Sequence, residues 1–305
     1  MAVATTRIEY AANQPPTFLA RWISRLAVFC AVLLIVTLFL HRLFGLPTPV
    51  ALNIAYGAFL TAAAIVVMAA VAGLDIWMTG RQGAPRVIFG TVVALGLLAI
   101  PGALYLLSRD YPMINDVTTD LETPPEFDAL VAERKSGSNP AAYPKDRFSE
   151  LQTQAYPDLR TLNVPRPAEE TFELLLQALG KLRFTIVTEA PPQAATGDPG
   201  FIEATDKTLV FGFVDDVAVR IMADEDGKSS WVDVRSASRY GRSDFGRNAE
   251  RVRTVLKELG GRLEATIPGD RAAAADKPAA KPGTKPPKAR NPTKEGKRKK
   301  QAPSR

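Results

Sequence analysis

Hydrophobic positions change their pattern twice along the chain. Over the first third they form near-continuous runs: residues 22–44, with an uncharged stretch at 26–40, then 50–76, and then 87–108, which carries no charge at all. About 20 apolar residues cross a hydrocarbon core. The runs therefore predict three transmembrane helices, preceded by an N-terminal tail at 1–21. Buried helices of water-soluble proteins are rarely so long and so uniformly apolar. A cleaved signal peptide fits poorly, because the leading tail is long and no small-residue cleavage site precedes the next span. Trp22, Trp77, Tyr105 and Tyr111 fall near the span ends, where amphipathic rings settle. Ala58 and Ala62, with Ala55 and Gly57, give the second span a small-residue packing face. Pro101-Gly102 is expected to kink the third. Asp75 is read as an interfacial charge near Arg81, and the block as an anchor without a transport path.

After Pro112 the runs shorten. A brief helix is predicted at 126–134, and 136–165, rich in Gly, Ser, Asn and Pro, is expected to wrap around the domain. Pro167 opens a helix whose Phe172, Leu175, Leu176, Leu179 and Leu182 follow helical spacing. Strands are predicted at about 183–188, 201–205, 208–214, 217–223 and 230–238, with turns at 197–200 and 226–227. The acidic turn at 224–227 lacks the remaining ligands of a calcium loop and reads as a hairpin. A last helix is expected from Ser243 to Leu259, stopped by Gly260-Gly261. The reading is a three-helix membrane anchor followed, at 112–265, by an α+β domain with a mainly antiparallel sheet of about five strands packed on helices. A disordered basic tail at 266–305 completes it.

Charge separates the same regions. Residues 1–111 hold seven arginines and three acids, 112–270 hold 19 basic and 27 acidic side chains, and 271–305 hold 12 basic and two acidic ones. The overall net charge of +6 thus conceals an acidic domain and a basic tail. Arg7, Arg21 and Arg25 precede the first span and Arg81 and Arg86 lie between the second and third, against Arg42 and Arg109 on the other side. That asymmetry predicts a cytoplasmic N-terminus and a soluble domain beyond the membrane, periplasmic if the membrane is a bacterial inner one. The sole Cys is Cys30 and the sole His is His41, both in the first run. The soluble domain therefore has no thiol or imidazole for nucleophilic catalysis or zinc, and no cofactor or metal is expected.

The stretches NDVTTDLETPPEF at 115–127, GFVDDVAVRI at 212–221 and VDVRSASRYGRSDFGRNAERVR at 232–253 resemble the signatures of the domain of unknown function 1499 family. The resemblance covers roughly 113–260 and implies a mostly bacterial, envelope-associated domain without an established activity. The membrane block and the tail lie outside it.

Candidate chemistry is concentrated near those motifs. Strand alternation places Val217, Val219 and Ile221 on one face and Arg220 on the other; Val232 and Val234 continue into Ser236 and Ser238, alternating with Asp233, Arg235 and Arg239. Arginine forks suit carboxylate or phosphate. An anion site is therefore expected from Arg220, Arg235, Ser236, Ser238, Arg239 and Ser243. The competing reading is structural: Asn115, Asp116, Asp120, Asp215, Asp216, Asp244, Asn248 and Arg251 fix strands to helix, with Ser243 or Asp244 as a cap. The function expected is a non-enzymatic, membrane-anchored envelope module that binds an anionic ligand or protein partner. Its alternatives are a carboxylate- or metal-dependent hydrolase using those acids and a structural subunit of a membrane complex. The expected partners are the lipid bilayer and, through the Lys/Pro/Ala-rich tail with KRKK at 297–300, anionic lipid or envelope polymer, nucleic acid being disfavoured by the topology.

Overall fold

The computed structural model describes residues 15–266. They all fall in one compact unit, Met1–Pro268, whereas the second unit, Gly269–Arg305, lies outside them, as do the tail assignments made above for 1–14 and 267–305.

Helices α1 (Phe18–Phe44), α2 (Thr48–Thr79) and α3 (Ala84–Ser108) correspond to the three apolar runs, each extended by a few residues. All three are long and apolar enough to cross a membrane. Their mutual contact is made largely by small side chains, Ala20 and Ala27 of α1, Ala62 and Ala69 of α2, and Gly90 and Ala94 of α3, with Ile23, Ile65 and Val87 buried among them. Gly57 points away from that contact, with open space around it. Large apolar side chains such as Ile35, Leu60 and Val92 face outward, the inverse of a water-soluble bundle. Helix α3 runs through Pro101 as one element. Asp75 lies 3.4 Å from Arg81 at the end of α2.

Beyond the membrane block come β1 (Asp116–Thr118), α4 (Ala129–Glu133), α5 (Lys145–Ala155), β2 (Leu162–Val164), α6 (Ala168–Lys181), β3 (Thr185–Ala190), β4 (Gly200–Lys207), β5 (Val214–Ala223), β6 (Ser230–Ser238) and α7 (Arg247–Ala265). The sheet is antiparallel throughout, in the order β1-β6-β5-β4-β3. Strand β2 also pairs with β6, at Val232 and its neighbours, while β1 covers Arg235–Ala237, so two short strands share one side of β6. Helices α6 and α7 pack on one face through Phe172, Leu175, Leu179, Val252, Val255 and Leu259, against Ile202, Val217, Val219, Val232 and Val234.

Four expectations need correction. Residues 208–213 are a closed turn between β4 and β5 rather than a strand, with Thr208 and Phe213 joined through their backbones. The stretch 136–165 contains α5, too polar to show a core-facing period, and β2, too short to show one. Strand β1 was hidden in turn-like Asn and Asp residues. Helix α7 starts four residues later than expected and runs on through Gly260-Gly261. The two glycines cost it propensity, but Leu259 and Leu263 on either side still reach the core.

Candidate functional site

Alternation along β5 and β6 gives the sheet a second face, opposite α6 and α7, built from Asp216, Ala218, Arg220, Asp233, Arg235 and Ala237. The chain from 119 to 144, irregular apart from the short α4, lies over it, and charged hydrogen bonds tie it down. Arg235 is buried at 1% exposure. Its Nε and Nη2 donate to both oxygens of Asp116 at 3.0 and 2.7 Å, and its remaining donors reach Pro125 O and Ala141 O. The guanidinium also sits 4.5 Å from the Phe127 ring centre and 5.6 Å from that of Tyr143. Burial pushes Tyr143 up to about 12. Burial likewise raises the Asp116 carboxyl, against the pull of Arg235.

The neighbouring pairs follow the same plan. Asp216 accepts from Arg134 at 2.8 Å and from Arg239 at 2.7 Å, and Arg239 also donates to Glu133. Arg220 bridges Asp120 and Asp233, and Asp233 accepts from Thr119 and Thr161. Burial works against ionisation of Asp120, but bonds from Thr123, the Glu122 amide and Arg220 hold its carboxyl below the ordinary range. Glu203 of β4 accepts from the Asp128 and Leu130 amides at the start of α4.

On the helix face, Arg251 donates to Asp215 and Asp206 and to Ser236 and Asn248. Asn248 links Ser236, Ser238 and Asn115 O. Asp244 accepts from the Gly246 and Asn248 amides at the start of α7, and burial raises it and Asp215. Ser243 touches Pro112 O.

The expected anion-site residues thus fall into separate places. Arg220, Arg235 and Arg239 share one face but are bound to carboxylates. Ser236 and Ser238 lie on the other face, against Asn248. Of the acids considered for hydrolysis, Asp116, Asp120, Asp215 and Asp216 each accept from an arginine. Among the described residues, no three of His, Cys, Asp and Glu come together as metal ligands.

A cavity of about 340 Å³ opens at the β1–β6 edge, where the two faces meet. Asn115, Asp116 and Ser238 line it, and so do three arginines that the strand pattern did not single out: Arg134, Arg147 and Arg242. Arg134 is 5% exposed, held by Asp216, Asn139 O and Pro140 O, yet its buried Nη2 has no hydrogen-bond partner. Arg147 and Arg242 are exposed at the same cavity, Arg147 beside the Phe148 ring, and neither has a carboxylate partner among the described residues.

The chain from β1 to α7 also matches a known family model: residues 116–259 fit that of a protein of unknown function, DUF1499. The soluble domain is a DUF1499 domain. No curated protein matches the chain. The three motifs through which the sequence resembles DUF1499 map onto the buried lattice: the first supplies Asp116 and Phe127, the second Asp216 and Arg220, the third Asp233, Arg235, Arg239 and Arg251. Most of these residues hold the wrapped segment or the last helix on the sheet. The helices α1–α3 lie outside the DUF1499 match and are an added apolar block.

Proposed function

We propose that this chain is a membrane-anchored DUF1499 protein whose domain binds an anionic group in the cavity at the β1–β6 edge. The observation that carries the reading is Arg134: a buried guanidinium with an unpartnered Nη2, in the lining of a cavity shared with two arginines that have no carboxylate partner among the described residues. An unmet buried donor is costly, and a bound carboxylate or phosphate would satisfy it. Asn115, Asn139 and Ser238 add neutral hydrogen-bonding groups around the same space. Asp116 also lines it, but its two oxygens are engaged by Arg235, which leaves the balance of free charge positive.

The side of the membrane is part of the proposal. The arginine asymmetry of the short loops supports a cytoplasmic N-terminus and a periplasmic domain. The basic segment at 271–305 would then meet anionic lipid or envelope polymer rather than nucleic acid.

Mass spectrometry of the detergent-extracted full chain tests the site. We expect an anionic species to co-purify with the parent and to be lost from Arg147→Ala/Arg242→Ala. Both substitutions are at exposed side chains, so stability should change by no more than about 0.5 kcal/mol each. An adduct retained undiminished by the double variant would remove the cavity as its site.

A further inference from the structure

The turn between β4 and β5 is unusual in what it exposes. Thr208 closes it: its N–H donates to Phe213 O at 2.8 Å, its hydroxyl accepts from the Phe213 N–H, and its carbonyl accepts from the Gly212 N–H. The residues held at the apex are Leu209, Val210 and Phe211, exposed at 81%, 63% and 46%. Three consecutive apolar side chains presented by a well-bonded turn are a solubility cost that the domain core does not explain.

The turn lies against the end of a membrane-crossing helix. Arg42 Nε, in the last turn of α1, donates to Leu209 O at 3.3 Å, and the His41 ring meets the Phe213 ring at 5.6 Å. Phe213 in turn stacks on Phe211. The approach is close enough that a Cβ on Gly212, which has φ +76°, would come within 2.9 Å of Arg42 Cδ. Around this contact the side of α1 is itself apolar and exposed at Phe39, Leu43 and Phe44. A spanning helix ends at the boundary of headgroups and acyl chains, so a turn bonded to its last residues stands at the same depth. Arg42 and Lys207 flank the apex with positive charge, the arrangement that favours anionic headgroups beside inserted apolar side chains.

We propose that the β4–β5 turn is a membrane-insertion tip. Leu209, Val210 and Phe211 enter the leaflet on the domain side, and Arg42 and Lys207 meet its phosphates. The tip forms a second point of attachment, separate from the covalent link after α3, and fixes the attitude of the domain on the bilayer.

The test uses the full chain in lipid nanodiscs, with Cys30→Ser removing the only native thiol. Single cysteines are introduced by Leu209→Cys, Val210→Cys, Leu60→Cys and Asp226→Cys, then labelled with an environment-sensitive fluorophore. Leu60 is exposed near the middle of α2 and reports the bilayer core, whereas Asp226 lies in the β5–β6 turn at the opposite end of β5. Labels at 209 and 210 should emit to the blue of the label at 226. They should be quenched several-fold more by lipid carrying a shallow spin label than by lipid carrying a deep one. The label at 60 should show the reverse depth preference. Labels at 209 and 210 that match the one at 226, while the label at 60 is quenched, would overturn the tip and leave the anchor intact. Blue emission at 209 and 210 without lipid quenching would also overturn it, by showing that protein covers the turn.

Discussion

Arg235 shows what a single side chain can be asked to do. It meets one carboxylate with two parallel bonds, donates to two carbonyls of the segment that carries α4, and lies near two rings. Removing one partner of such a pair leaves an uncompensated buried charge, which costs about 3–5 kcal/mol. Arg235→Ala and Asp116→Asn are each expected to lower the thermal midpoint of the full chain strongly. Arg235→Met combined with Asp116→Leu should cost less than Arg235→Met alone, because no charge is left stranded. A midpoint unmoved by Arg235→Ala would show that the wrapped segment is held by something else. At this scale the sequence was half legible. Alternation placed Arg220, Asp233, Arg235 and Arg239 on one face, but could not tell a guanidinium that awaits a ligand from one already bound to Asp116. Arg134 and Arg242 went unnoticed because they come from irregular stretches, and Arg147 because it sits in the first turn of the mostly polar α5; only the folded chain brings them to one cavity.

Elements were legible in proportion to their length and apolar content. The three spans, α6 and the β5–β6 hairpin follow from periodicity, since each buries or exposes a long uniform stripe. Strands β1 and β2, at three residues each, are too short to show any period, and α5 buries only Phe148 and Gln152. The run 208–214 read as a strand because it is apolar, a rule that fails when a turn carries Leu209, Val210 and Phe211 outward. Helix packing offers a sharp test in α3. A Cβ at Gly90 would lie 2.5 Å from Ile23 Cγ2 and 2.9 Å from the Ile23 backbone carbon, so α1 and α3 touch there without room for a methyl. Gly90→Ala should destabilise the bundle by about 1–3 kcal/mol, as overpacking does. Ile23→Ala should rescue it only in part, since the backbone contact remains. Gly96→Ala on the same helix meets nothing within 4 Å and should leave the midpoint unchanged or raised. Equal effects at 90 and 96 would contradict the packing described for α1 and α3.

At the scale of the whole molecule, the ends of the membrane helices and the domain meet on one side. The α1 terminus touches the β4–β5 turn, and Tyr111, just past α3, fills the space where a side chain at Gly246 would stand, at the start of α7. Three crossings would put that side opposite the N-terminus, which the orientation proposed from the loop arginines places in the cytoplasm. A reporter enzyme that is active only outside the cytoplasm should therefore work when joined after Pro112 and fail when joined after Arg81. The opposite pattern would invert the proposed orientation and reassign the basic tail to the cytoplasm.

The position of β1 on the far side of β6 has a consequence in time. Asp116 leaves the ribosome 119 residues ahead of Arg235, its partner. At about 5–20 residues per second, the wait lasts roughly 6–24 s. For that interval the stretch before β6 emerges beside the membrane with its acidic anchor unmatched and β1 and β2 without a ladder. Late synthesis of one strand thus decides when an early segment stops being a target for proteases and for mispairing. Truncation anywhere before residue 235 should yield a chain that is inserted and then degraded, not a smaller stable domain.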